Sequence, residues 1–217
     1  MLCFCFASSA LLSRPRLGFR LSGRMAGVTL IELMLVLVVL VLLYAYALPG
    51  FASLVERSQV VSQQHRLHGA LNLARSHALA TGAATVVCPL RAGSHEVQPE
   101  CDLPSGDWSH GWMIFEDPRA TNACTVRQPE TICDPGEGRV VRLYEPVANG
   151  YRVVSNRNVS RRVRFNGLGM SPGYTGRFAF CSGGGKADPV GLVVPQTGRI
   201  RRARSREMLP CPVSGNH

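Results

Sequence analysis

The chain has 217 residues, room for one domain with accessory segments, and 46% of them are hydrophobic, enough for a folded core. The formal charge is +10 and comes almost wholly from arginine, Lys186 being the single lysine. That balance points to an anionic partner such as nucleic acid or lipid headgroups and carries no information about fold. Eight cysteines occur without a CxxC pair, which argues against a zinc site.

The first segment holds Arg14, Arg16, Arg20 and Arg24 and no acid; without them the formal charge falls from +10 to +6. Val28 to Leu48 then reads VTLIELMLVLVVLVLLYAYAL, with Glu32 as its single charge. At helical rise this run spans about 31 Å, the thickness of a hydrocarbon core. The arginine flank stays cytoplasmic by the positive-inside rule, so the body of the chain lies on the other side. Six cysteines follow the apolar run (Cys88, Cys101, Cys124, Cys133, Cys181 and Cys211), which fits disulfides formed in a periplasm-like compartment. Spacing alone leaves many pairings open. A secretory signal has a shorter apolar core with its small-residue cleavage site after it; here the run is longer and the small residue, Gly27, precedes it. A carboxylate at Glu32 costs a few kcal/mol in a membrane unless it finds a partner. Cleavage before Val28 creates an α-amine one helical turn away that would neutralise it, on the same chain or on a neighbour.

Gly27-Val28-Thr29-Leu30-Ile31-Glu32-Leu33-Met34 resembles the prepilin processing motif of type IV pilins and type II secretion pseudopilins. The resemblance implies a prepilin peptidase that cuts after Gly27 and methylates Val28, and a role for Glu32 in assembly. It departs from the usual pattern in having Val28 where phenylalanine is common, and in its long leader. Pro49 stands where that family often has a helix-loosening proline. The expected divisions are a leader over 1–27, a transmembrane and assembly helix over 28–50, the amphipathic half of the same helix over 51–82, and a β-rich head over 83–217 with a basic C-terminal segment.

Beyond Pro49-Gly50 the pattern is amphipathic: Leu67, Leu71, Ala74 and Ala78 share one helical face, with Arg66, Asn72 and Arg75 off it. Gly82 is the expected stop. One helix from Val28 to Thr81 would be about 80 Å long, kinked near Pro49. His65, His68 and His77 are spread around it and read as solvent-facing polar residues. Strands are expected at 85–88, 111–115, 140–144, 151–154, 162–165, 177–181 and 190–194, with alternation clearest in the 162 and 177 segments. Asn149-Gly150 and Asn166-Gly167 are hairpin-turn signals. The stretches 91–107 and 117–138 read as polar loops pinned by cysteines. The fold class is therefore α+β, a long helix packed on an antiparallel sheet.

Val86-Val87-Cys88-Pro89, Cys101, Trp108, Gly111-Trp112-Met113-Ile114-Phe115-Glu116-Asp117, Arg164-Phe165-Asn166-Gly167 and Thr197-Gly198-Arg199-Ile200-Arg201 are together similar to the head-domain pattern of the GspH/FimT family, closest to FimT-type minor pilins. The resemblance implies a pilin-like fold and favours Cys181 with Cys211; proximity pairs Cys88 with Cys101 and Cys124 with Cys133. In FimT-like minor pilins a GRxR motif near the C-terminus is linked to DNA binding in natural transformation, and Gly198-Arg199-Ile200-Arg201 matches it. Arg202, Arg204 and Arg206 extend the basic run, with no acid before Glu207. If the strand continued, Arg199 and Arg201 would share a side about 7 Å apart. Arg202, Arg204 and Arg206 have the opposite parity, so the strand must end or bulge for all five to reach solvent. Guanidinium forks suit phosphate and are indifferent to base sequence. A second run, Arg157, Arg161, Arg162 and Arg164, would add contacts if it folds near the first.

The expectation is a DNA-binding minor pilin of a type IV pilus that aids DNA uptake. The alternative is a GspH-type pseudopilin of a type II secretion system, or a structural or priming minor pilin. The expected partners are a prepilin peptidase, other pilins or pseudopilins, DNA phosphates and the inner membrane, with the head periplasmic and later part of a filament. No enzyme, metal or cofactor is expected. Gly183-Gly184-Gly185-Lys186 lacks the spacing and the Ser/Thr of a phosphate loop and reads as a turn.

Overall fold

The computed structural model describes residues 27–127, 131–135, 137–183 and 187–212. The leader before Gly27 and the run Gly184-Gly185-Lys186 lie outside the described residues. The chain divides into two units, Met1–Ala45 and Tyr46–His217.

One helix, α1 (Leu30–Thr81), begins in the first unit and ends in the second, and it is continuous through Pro49. It starts two residues later than the sequence pattern suggests. The reason is Thr29, whose hydroxyl oxygen and carbonyl both accept from the Glu32 N–H, at 3.3 and 3.1 Å. Thr29-x-x-Glu32 is the spacing of a capping box, and the acid in the first turn suits the helix dipole. In the first unit every described side chain from Val28 onward is exposed. Among the described residues this helix alone is long and apolar enough to cross a membrane.

In the second unit the helix buries one stripe: Val60, Leu67, Leu71, Ala74 and Ala78, with Ala70 beside it. The alanines let the strands approach the helix closely, and the flanking Gln64 is buried because its side-chain amide donates to the Gly191 carbonyl at 2.7 Å. The helix stops at Gly82, which adopts φ +70 and donates its N–H to the Ala78 carbonyl, a left-handed cap that a side chain would strain.

The head has ten strands: β1 (Thr85–Pro89), β2 (Trp112–Glu116), β3 (Thr125–Arg127), β4 (Ile132–Asp134), β5 (Val140–Tyr144), β6 (Tyr151–Ser155), β7 (Val163–Phe165), β8 (Gly176–Ser182), β9 (Val190–Val194) and β10 (Arg201–Arg202). They form a sheet ordered β5-β2-β1-β7, a second ordered β10-β9-β8-β6, and the hairpin β3-β4, all antiparallel. The architecture is α+β, a long helix with antiparallel sheets.

The inner strands of the first sheet, β1 and β2, are buried on both faces. Val87, Trp112 and Ile114 face the helix cluster, while Val86, Cys88, Met113 and Phe115 face a second cluster with Cys101, Cys124, Val126 and Cys133. Two disulfides, Cys88–Cys101 and Cys124–Cys133, sit in that second cluster. In the second sheet Val153, Phe178, Phe180, Leu192 and Val194 point to the helix cluster. The opposite parity, Arg177, Ala179 and Cys181, is the outer face, and the third disulfide, Cys181–Cys211, ties the C-terminal segment across it.

Three expectations change. The polar loop 117–138 contains a hairpin, because Val126 and Cys133 pair and bury against the second cluster. Asn149-Gly150 and Asn166-Gly167 are turns but not hairpin turns. β5 and β6 join different sheets, as do β7 and β8, so each turn passes the chain from one sheet to the other. At the second, the Asn166 side-chain oxygen accepts from the Leu168 and Met170 N–H groups, which closes the turn locally.

Candidate nucleic-acid interface

The C-terminal basic segment begins at the turn Pro195 to Gly198, closed by the Gly198 N–H donating to the Pro195 carbonyl at 2.9 Å. Gly198 adopts φ +71, and a β-carbon there would run into the Gly169 carbonyl, so both conformation and space require glycine. Ile200 is half-buried and packs on the helix cluster. β10 covers only Arg201 and Arg202, opposite Val193 and Leu192. The chain then leaves the strand: the Ala203 N–H donates to the Gly191 carbonyl, and Ser205–Glu207 forms a 3-10 turn. Because the strand ends there, Arg199, Arg201, Arg202, Arg204 and Arg206 are all exposed despite their mixed parity.

Their surroundings differ. Arg201 is clasped by Glu207, Nη1 to Oε2 at 2.7 Å and Nη2 to Oε1 at 2.5 Å, a bidentate pair. That bond, aided by the Arg204 backbone N–H donating to the same carboxylate, pulls the Glu207 pKa down from 4.5 to about 2 and raises that of Arg201. Arg202 donates to the His65 ring nitrogen at 2.7 Å. The guanidinium groups of Arg199, Arg204 and Arg206 make no ion pair among the described residues. His77 departs from the solvent-facing reading, lying 3.5 Å from Glu116 and 3.4 Å from the Thr85 hydroxyl, whereas His68 meets Asn72 at 3.2 Å on the exposed side of the helix.

The second basic run divides. Arg164 turns to Asp117, which is fully buried, at 3.8 Å, and to the Asn122 side chain at 3.5 Å. Arg157, Arg161 and Arg162 instead line a cavity. At the other end of the chain Gly27, Val28 and Glu32 are exposed at the start of α1. The Glu207 clasp is not visible in the sequence. Its one signal is that Glu207 is the first acid after the arginine run, and its partner is chosen by a turn that folds six residues back on themselves. Thr29, three residues before Glu32, is a cap signal that the sequence does carry.

Residues 63–198 match the family model described as type II transport protein GspH. Two crystal structures of the Pseudomonas aeruginosa type IV minor pilin FimU are similar to the chain. One is 22% identical with a TM-score of 0.48, covering 70% of this chain and 92% of that one. The other is 20% identical with a TM-score of 0.44, covering 69% and 94%. No curated relative matches the chain.

Proposed function

The chain belongs to the GspH family and is a pilin-like subunit of the FimT/GspH type, and from that premise we propose that it is a minor pilin of a type IV pilus whose C-terminal arginines bind DNA and aid its uptake. The prepilin peptidase cuts after Gly27 and methylates Val28. The apolar start of α1 then holds the subunit in the inner membrane, and Glu32 guides its entry into the filament among other pilins.

The observation that carries the DNA reading is the set of three exposed guanidinium groups, Arg199, Arg204 and Arg206, that make no ion pair among the described residues. They sit on a segment held to the second sheet by β10 and by Cys181–Cys211. Exposed guanidinium forks on a fixed backbone meet phosphates at low ordering cost. Such pairings ignore base sequence and weaken with salt. Arg201, already paired with Glu207, contributes less.

The test is DNA binding by the soluble head, residues 51–217, on two duplexes of unrelated sequence across a salt series. The expected result is similar affinity for both duplexes, falling with salt. In Arg199→Ala/Arg204→Ala/Arg206→Ala the log–log salt slope should flatten by about 0.9 for each phosphate no longer neutralised. A folded wild-type head that binds neither duplex at low salt would remove the DNA reading. It would favour the second reading, a GspH-type pseudopilin of a secretion system, which the description of the matched family model supports.

A further inference from the structure

Arg157, Asn158, Ser160, Arg161, Arg162, Tyr174 and Pro104 line a cavity of about 500 Å³ in the head, with no carboxylate among them. That volume lies in the range of small-ligand sites. Its rim is built rather than incidental. The 3-10 turn Arg157–Val159 is anchored by the buried Val159, and the Trp108 indole N–H donates to the Val159 and Ser160 carbonyls at 3.1 and 2.7 Å. The Asn158 side chain donates to the Thr175 carbonyl at 3.1 Å. Tyr174 is held by its hydroxyl, which accepts from Arg162 Nε and donates to Asn122 Oδ1, both at 3.4 Å. The ring is half-exposed. Arg157 and Arg161 are exposed, and their guanidinium groups have no partner among the described residues.

One row of the second sheet runs from the C-terminal arginines to Asn156, the residue that precedes the cavity's Arg157–Val159 turn. Arg201 stands opposite Val193, Val193 opposite Arg177, and the Asn156 N–H donates to the Arg177 carbonyl. These residues form one row across the second sheet, about 14 Å from Arg201 to Asn156 at three strand spacings. Glu207 bonds Arg201 through its carboxylate and Arg177 through its carbonyl, so the turn carrying Arg206, with Arg204 just before it, lies along the same row.

We propose that this cavity takes one unpaired nucleotide of a DNA strand, its base stacked on Tyr174 and its phosphate between Arg157 and Arg161, while Arg204 and Arg206 hold phosphates further along the strand. A cationic groove with an aromatic platform is the general form of a single-strand site, and this row suits a short run, on the order of four nucleotides. The inference rests on the DNA reading and narrows it: the tail arginines alone accept any duplex, whereas the cavity requires an unstacked base.

The test uses the full chain in detergent and three fluorescent probes of equal length: an oligothymidylate, a blunt duplex and a strand of abasic sites. Wild type should bind the oligothymidylate about tenfold more tightly than the abasic strand, the worth of one stacked base. Tyr174→Ala should abolish that preference and Tyr174→Phe should keep it, because the ring and not the hydroxyl does the stacking. Arg157→Ala/Arg161→Ala, two exposed positions that leave the core intact, should weaken oligothymidylate binding and flatten its salt slope by about 0.7, the single-strand value for one phosphate, relative to wild type. Duplex binding with equal affinity for the oligothymidylate and the abasic strand would overturn the cavity proposal and leave the DNA reading standing. So would a preference that survives Tyr174→Ala. Failure of folded wild type to bind any of the three probes would remove the DNA reading, and the cavity proposal with it.

Discussion

Glu207 holds Arg201 through both carboxylate oxygens and takes a third hydrogen bond from the Arg204 backbone. A carboxylate so placed stays ionised far into acid, and its pKa falls to about 2. Its folded pKa lies below its unfolded one, so the clasp contributes stability above the ordinary carboxylate range. That contribution is lost as pH falls from about 4.5 through about 2. The first expectation is an NMR titration in which the Glu207 carboxyl carbon moves with a midpoint near 2 in wild type and at a clearly higher pH in Arg201→Ala, where the Arg204 backbone bond alone remains; equal midpoints would mean that the clasp does not form in solution. The second concerns function: Glu207→Gln frees Arg201 and removes a negative charge, so DNA affinity should rise and the salt slope steepen by about 0.9. Unchanged binding would show that Arg201 lies off the path of the phosphates. The residues of this site were legible as a basic run and a glycine. What Gly198 does, a positive φ against the Gly169 carbonyl, and which arginine is clasped depend on how the turn folds back, and local pattern does not encode that.

At the scale of elements, periodicity read the helix stripe correctly because Leu67, Leu71, Ala74 and Ala78 recur with the helical period and bury completely. Strands β1 and β2 read as continuous apolar runs because they are covered on both faces, by the helix on one side and by the disulfide cluster on the other. Asn149-Gly150 and Asn166-Gly167 show the limit of local reading. A turn signal says that the chain reverses, while the choice of strand partner is made by non-local packing, and here both turns cross between sheets. The β3-β4 hairpin leaves little trace in the sequence because each strand has three residues and buries a single side chain deeply. The C-terminal segment depends on one covalent tie, since β10 has only two residues. Removing that tie in Cys181→Ser/Cys211→Ser should lower stability by about 3.5 kcal/mol on the loop-entropy estimate for a separation of 30 residues. It should also expose the Ala203 N–H, now bonded to the Gly191 carbonyl, to faster hydrogen exchange. A urea midpoint and an exchange rate both equal to wild type would show that β10 and the Glu207 clasp hold the segment unaided.

For the whole molecule, the controlling fact is an apolar helical surface with nothing on it: the described side chains from Val28 to Tyr46 are all exposed in the single chain. A surface of that size needs lipid or the helices of other subunits. Glu32 distinguishes these two settings. In lipid its carboxylate costs about 3 kcal/mol; under the proposed processing, the α-amine of a neighbouring subunit would neutralise it within the bundle, and it would then favour the filament over the membrane. Replacing it removes that preference without shortening the apolar run. Glu32→Ala is therefore expected to reach the membrane and be cut after Gly27 as wild type is, yet to be depleted from filaments. Thr29 still caps the helix through the Glu32 backbone N–H, which the substitution keeps, so helix formation is not the variable. The check is mass spectrometry of the N-terminus together with immunoblots of membrane and sheared-filament fractions from cells expressing each form. Normal processing with at least a tenfold loss from filaments is the expected pattern. Filament levels equal to wild type would show that apolar packing alone recruits the subunit, and would confine Glu32 to its place in the first turn of the helix.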